Sequence, residues 1–133
     1  MSVELRLTED KLTAVLNGEI DHHTGRALRD AIDKKISQTK PSELILDFSG
    51  VTFMDSSGIG LILGRYRWMQ DLGGSVRITH ISSGLEQLLV LSGIHKLVQV
   101  ESEQSSKEEP QKESAEEREI FSDSSKALRF QRK

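Results

Sequence analysis

Val3, Leu5 and Leu7 alternate with polar residues, the pattern of a strand with one buried face. Thr8-Glu9-Asp10-Lys11 is polar, and Leu12, Ala14 and Leu16 then resume the alternation, which predicts a hairpin. Asn17-Gly18 has the composition of another hairpin turn. Glu19-Ile20-Asp21 follows it and leads into a helical pattern, so it reads as a passage from strand to helix. Leu28, Ala31, Ile32 and Ile36 recur at helical spacing, with Arg26, Arg29, Asp30 and Lys34 on other faces. Pro41 closes that segment. Glu43-Leu44-Ile45-Leu46-Asp47-Phe48 has an unbroken apolar centre, which predicts a strand covered on both faces, and Ser49-Gly50 reads as a turn.

Beyond Phe53-Met54-Asp55-Ser56-Ser57-Gly58, a second helical stripe comprises Ile59, Ile62, Leu63, Tyr66 and Met69, and Gly73-Gly74 ends it. Val76 to Thr79 is a short alternating strand. Ser83-Gly84-Leu85-Glu86 matches a capping box with Ser83 at the cap. Leu85, Leu88, Leu89 and Leu91 follow, with a stop at Gly93 and a last strand at Leu97, Val98 and Val100. This order predicts a small α/β domain: a mixed sheet of four to five strands with helices as crossovers. At Glu101 the character changes to Glu, Ser, Gln and Lys. Residues 1–102 are therefore expected to form the domain, and 103–133 a polar tail too poor in apolar surface to order itself. Ile120-Phe121 and Ala127-Leu128 through Phe130 are small apolar islands within that tail.

The length, 133 residues, suits one domain and a tail. The net charge of −3, with Lys and Arg spread through the body, argues against nucleic acid as a direct partner. The absence of Cys excludes disulfides, thiol chemistry and cysteine metal sites, and fits a reducing cytoplasm. The N-terminus, MSVELRLTED, is unlike a signal peptide. Apolar runs such as Gly58 to Gly64 are too short for a membrane span.

Candidate chemistry centres on Phe53-Met54-Asp55-Ser56-Ser57-Gly58-Ile59-Gly60. A hydrolase elbow reads G-x-S-x-G, but Met54 stands two before Ser56. A triad of Ser56 with His22 or His23 and Asp21 or Asp55 rests on residue types alone. The glycines at 58, 60 and 64 are spaced G-x-G-x-x-x-G, which is neither a dinucleotide fingerprint nor a P-loop. Gly60 and Gly64 share a helix face, which predicts close packing of that helix on the sheet. Asp55, Ser56 and Ser57 all suit a helix start. A phosphate there would lie at the positive end of the dipole and gain ~0.3–1 kcal/mol. Its charge, about −1.5 to −2, would be felt by whatever docks on that surface. Adjacent His22 and His23 diverge and have no third ligand at metal spacing, so a helix-start pair is the simpler reading. Trp68 reads as a partly exposed helix residue. No cofactor is implied.

Two segments together resemble a known family. Gly18-Glu19-Ile20-Asp21-His22-His23-Thr24 and the run from Phe53 through Gly64-Arg65-Tyr66 are similar to the bacterial anti-sigma factor antagonists of the STAS domain family, most of all its sporulation branch. Leu91-Ser92-Gly93-Ile94 resembles the family's turn before the last strand. The resemblance implies that Ser56 is phosphorylated by an anti-sigma factor that is itself a serine kinase, and that a PP2C-type phosphatase removes the phosphate. The free antagonist would bind the kinase and release sigma, and would not be an enzyme. It further implies that Asp21, His22 and Thr24 border the acceptor and contact the kinase, and that Asp55 and Gly58 shape the acceptor loop. Ser57 is the second candidate acceptor. A general stress-response antagonist and a serine hydrolase remain the alternatives.

Overall fold

The computed structural model describes residues 2–102, 117–122 and 127–132. Strands β1 (Ser2–Thr8) and β2 (Lys11–Ile20) form the expected antiparallel hairpin, with Leu5 opposite Ala14. Then come α1 (His22–Thr39), β3 (Glu43–Met54), α2 (Ser56–Asp71), β4 (Ser75–Ile81) and α3 (Ser83–Ser92). A 3-10 turn at Ile94–Lys96 leads into β5 (Gln99–Ser102). The strands lie in the order β5-β4-β3-β2-β1, and β2 to β5 are mutually parallel. This is the small mixed α/β architecture that the hydrophobic pattern predicts.

Each crossover helix carries the chain to the next strand in the same direction across the sheet. Right-handed connections then place the helices on one face. Burial agrees: Leu44, Leu46 and Phe48 of β3 are buried, while Glu43, Ile45 and Asp47 between them are only half-buried. The expectation that β3 is covered on both faces is thus corrected. The other face holds polar side chains, including Arg77, which reaches Glu43 at 3.3 Å and Glu101 at 3.1 Å. Ile45 in that row is what made the sequence look like a doubly covered strand.

The expected passage from strand to helix follows β2 at Asp21, whereas the turn expected at Ser49-Gly50 is not a break. Strands β2 and β3 run straight through Asn17-Gly18 and Ser49-Gly50. Their register shifts between Val15 and Asn17 and again between Gly18 and Glu19. Gly18 has φ 102°, a conformation that favours glycine. A side chain at Gly50 would strike Asn17 and come within 2.9 Å of the Leu16 carbonyl. These residues therefore form irregularities inside a continuous pair, which bend the strands and set the direction of their ends.

The third helix is capped by Ser82 rather than Ser83: its hydroxyl accepts the Leu85 N–H at 3.3 Å. Gly93 ends it in the left-handed region, as expected, with φ 85°. The last strand starts at Gln99, so Leu97 and Val98 belong to the turn before it, where Val98 is buried.

The expectation of an unordered tail does not hold for two stretches. β6 (Glu117–Ser122) pairs antiparallel with β1, and β7 (Ala127–Arg132) pairs with β6. The two apolar islands fall inside these strands, and Phe121 stands in register with Val3 of β1. The free edge of β1 offers the backbone donors and acceptors that such a hairpin needs. Residues 103–116, 123–126 and 133 of the expected tail lie outside the described residues.

Candidate functional site

The two sequence segments that stand out meet in space. Strands β2 and β3 are parallel neighbours, and their last residues, Ile20 and Met54, are paired. Each strand is followed at once by a helix, so the N-termini of α1 and α2 lie side by side at one sheet end. In an open parallel sheet that end is where ligands and partners are received.

Asp21 caps α1. Its Oδ1 accepts the N–H of His23 at 2.9 Å and that of Thr24 at 2.8 Å. The Thr24 hydroxyl accepts the Asp21 N–H at 3.0 Å, which completes a reciprocal capping box. The same hydroxyl donates to the Glu19 carbonyl at 2.9 Å. The Thr24 N–H foremost, against a smaller opposing effect of desolvation, holds the Asp21 carboxyl below the usual carboxylate range, assisted by the Thr24 hydroxyl, the His23 N–H and the charge of His22. Thr24 is therefore occupied locally, while His22 and His23 are exposed on the first turn.

Asp55 caps α2 more simply. Its Oδ1 accepts the Ser57 N–H at 2.8 Å and its carbonyl accepts the Gly58 N–H at 2.9 Å. Its own N–H donates to the Ile20 carbonyl at 3.1 Å, which ties the acceptor loop to β2. Ser56 is the first residue of α2 and is exposed; Ser57 is half-buried and faces Gly25 of α1. Gly58 is buried, and a side chain there would strike Met54 and approach Ile20 at 3.5 Å. Among the described residues no hydrogen bond joins His22 or His23 to Ser56 or Ser57, so the base-nucleophile pair of a hydrolase is not formed.

The glycine expectation is corrected here. Nothing lies within 4 Å of a side chain added at Gly60 or Gly64, and Gly60 is exposed. Close packing on the sheet is met by Gly58 instead.

Arg65 was not among the candidate residues. It is 8% exposed, with its Nε 2.8 Å from Asp33 Oδ1 of α1 and its guanidinium donating to the Leu61 carbonyl at 3.3 Å. Burial pushes the guanidinium down and the Asp33 carboxyl up, and each partner's charge opposes the other's shift. The signal was present: Arg65 follows Gly58 by seven residues and Leu61 by four, on the face that α2 buries. Phe53, 48% exposed beside the acceptor loop, was also missed. Trp68 is half-buried against the core, as expected.

The STAS domain profile matches residues 2–108. The anti-sigma F factor antagonist of Paenibacillus polymyxa is 32% identical over 100 residues, covering 75% of this chain and 86% of that one. The anti-sigma-B factor antagonist of Bacillus subtilis is 24% identical over 100 residues, covering 75% of this chain and 90% of the relative. Among solved structures, the unphosphorylated form of the anti-sigma factor antagonist SpoIIAA superposes with a TM-score of 0.66 at 30% identity. It covers 77% of this chain and 90% of its own. The Bacillus cell fate determinant SpoIIAA in its phosphorylated form gives a TM-score of 0.61, also at 30% identity, covering 77% of this chain and 93% of its own. Fold, paired helix starts and relatives agree: the chain belongs to the STAS domain family, alongside anti-sigma factor antagonists.

Proposed function

We propose that the protein is a phosphorylation-controlled anti-sigma factor antagonist with Ser56 as its acceptor. The observation that carries this is the placement of Ser56. It is the exposed first residue of α2, beside the capped start of α1. Its partner is an anti-sigma factor that is a serine kinase, and a PP2C-type phosphatase reverses the modification. The free form binds the kinase through the rim that Asp21, His22, Ser57 and the Asp55 loop define. Thr24 and Gly58 act by holding that rim in shape, and Phe53 adds an apolar contact at its edge. A phosphate on Ser56 is tolerated by the fold, because the first N–H groups of α2 and its dipole favour an anion there. Against a docked partner the same charge must lose water, which disfavours the complex by several kcal/mol, and each ~1.4 kcal/mol is tenfold in affinity.

Intact-mass measurement with ATP and the anti-sigma F factor of Paenibacillus polymyxa tests the reading. One phosphate is expected on the wild type and none on Ser56→Ala. Equal phosphorylation of both overturns the assignment. Ser56→Asp is expected to weaken binding at least about tenfold. The similarity to the Bacillus subtilis anti-sigma-B factor antagonist favours a second reading, control of a stress-type sigma factor. Pull-down against both kinase types separates the two. A serine-directed fluorophosphonate is expected to leave the protein unlabelled.

A further inference from the structure

Between α1 and α2 runs an open trough of about 410 Å³. Its walls carry His22, Arg26, Arg29 and Arg65, and none of its lining residues is acidic. The whole chain has a net charge of −3, so this is a local reversal of sign. The positions explain it. Residues 22, 26 and 29 stand four and three apart and share one face of α1. On α2, Gly60 and Gly64 line the trough and leave it unfilled, since nothing lies within 4 Å of a side chain added at either.

The three arginines differ in what already holds them. Arg65 is buried and paired with Asp33 at 2.8 Å. Arg29 lies 3.6 Å from Asp30, both of them exposed, a contact worth little in water. Arg26 is exposed and makes no ion pair among the described residues. Positive charge is thus left over at the rim, above a space wide enough for a side chain.

We propose that this trough seats a carboxylate-bearing segment of the anti-sigma factor, with Arg26 and Arg29 selecting that partner by charge. The proposal rests on the antagonist reading and names the chemistry of its partner. A free small anion would remain hydrated against these exposed guanidinium groups and bind weakly. A partner docked on the Ser56 rim covers the trough and excludes water, which strengthens the same pairs. Ser57 lines the trough and is adjacent to Ser56. A phosphate on Ser56 therefore enters the field of these cations and opposes the partner's carboxylates there, so modification and trough occupancy exclude each other.

Association with the anti-sigma F factor of Paenibacillus polymyxa, followed by stopped flow at rising salt, tests this. In the full chain, the double variant Arg26→Glu, Arg29→Glu is expected to slow association at least about tenfold near ~50 mM salt, a gap that closes as salt rises. Arg26→Lys combined with Arg29→Lys keeps the charge and should stay within about twofold of wild type. Gly64→Leu fills the trough without touching charge and should speed dissociation by about tenfold. Thermal melts confirm that each variant is folded; if Gly64→Leu is not, the charge variants decide. An unchanged association rate and salt slope in the glutamate variant overturns the trough assignment. If Ser56→Asp still abolishes binding in that case, the antagonist reading survives alone. If the wild type neither binds nor is phosphorylated, both fall.

Discussion

The starts of α1 and α2 are near twins with one difference. Both follow a parallel strand directly, and both are capped by an aspartate in extended conformation, Asp21 and Asp55. At the third helical position α1 has Thr24, whose hydroxyl returns to the cap and closes the box. At the same position α2 has Gly58, which has no side chain to return. The first end is therefore internally satisfied. The second keeps one side-chain cap bond, from Asp55 to the Ser57 N–H, and presents Ser56 outward. An anion at the second start has only the single Asp55 side-chain bond to compete with, since the Gly58 N–H is held by the Asp55 carbonyl, whereas at the first a two-way capping box must be opened. The two ends thus suit different duties: α1 as the fixed border, α2 as the end that changes charge.

Replacing Gly58 attacks the comparison most directly. Gly58→Val forces a branched side chain onto Met54 and Ile20, and overpacking of this kind costs about 2–3 kcal/mol. Urea denaturation is expected to show that loss. Gly60→Ala, one turn face away with nothing within 4 Å, should instead stabilise by about 0.5–1 kcal/mol through helix propensity. If both variants behave alike, Gly58 is not the close-packed position, and the difference between the two helix starts loses its structural cause.

Next in size is the clamp that holds the two helices at a fixed spacing. Arg65→Met keeps the volume and removes the charge, which leaves Asp33 without the guanidinium 2.8 Å away. Breaking a fully buried pair costs about 3–5 kcal/mol; the Asp33 side chain is 29% exposed, so about 1–2 kcal/mol is expected here. Asp33→Asn combined with Arg65→Met should recover part of it. A double-mutant cycle reads the coupling, and a coupling near zero would mean that packing of α1 on α2 alone sets their spacing.

What the sequence could and could not reveal follows the same lines. Alternation marked β1, β2 and β4, and the helical stripes marked all three crossovers, because burial on one face leaves a period that a single chain displays. The two motifs could be seen, but their adjacency required the pairing of Ile20 with Met54, which is a tertiary fact. Ser49-Gly50 misled because the same residues serve a turn and an irregularity inside a strand; only the partner strand decides. Ser83 misled as a cap because Ser82 beside it can do the same work. Arg65 was passed over because a charged residue on a buried stripe reads as an interruption until its partner on another helix is known. The role of Ser56 entered by resemblance, since no local rule separates a serine that caps from one that is modified.

The caps themselves come third. Asp55→Ala removes the carboxylate that accepts the Ser57 N–H at the start of α2 and should cost about 1 kcal/mol, with amide exchange rising at Ser57 and Gly58. Asp21→Ala opens a two-way box and should lower the melting temperature further than Asp55→Ala does. The reverse order would mean that the box adds nothing beyond a single cap. Thr24→Val, which removes only the returning hydroxyl, is expected to fall between wild type and Asp21→Ala.

The smallest expected effect is in acid. Hydrogen bonds to the ionised Asp21 carboxylate depress its pKa in the folded protein below 3.8. The sign follows from that direction. The contribution is fully present above the unfolded value and is lost as pH falls through the lower folded value, so stability rises with pH across that window. Asp21→Asn keeps an acceptor for the Thr24 N–H and removes the titration. Between about pH 5 and pH 2 the wild-type melting temperature should therefore fall more steeply than that of Asp21→Asn, while the two change in parallel above pH 5. Asp55→Asn, at the start that has a single side-chain cap bond, is the reference for this comparison. If both asparagine variants flatten the acid limb equally, the closed box at Asp21 contributes no extra preference for the charged form, and the two helix starts are electrostatically the same.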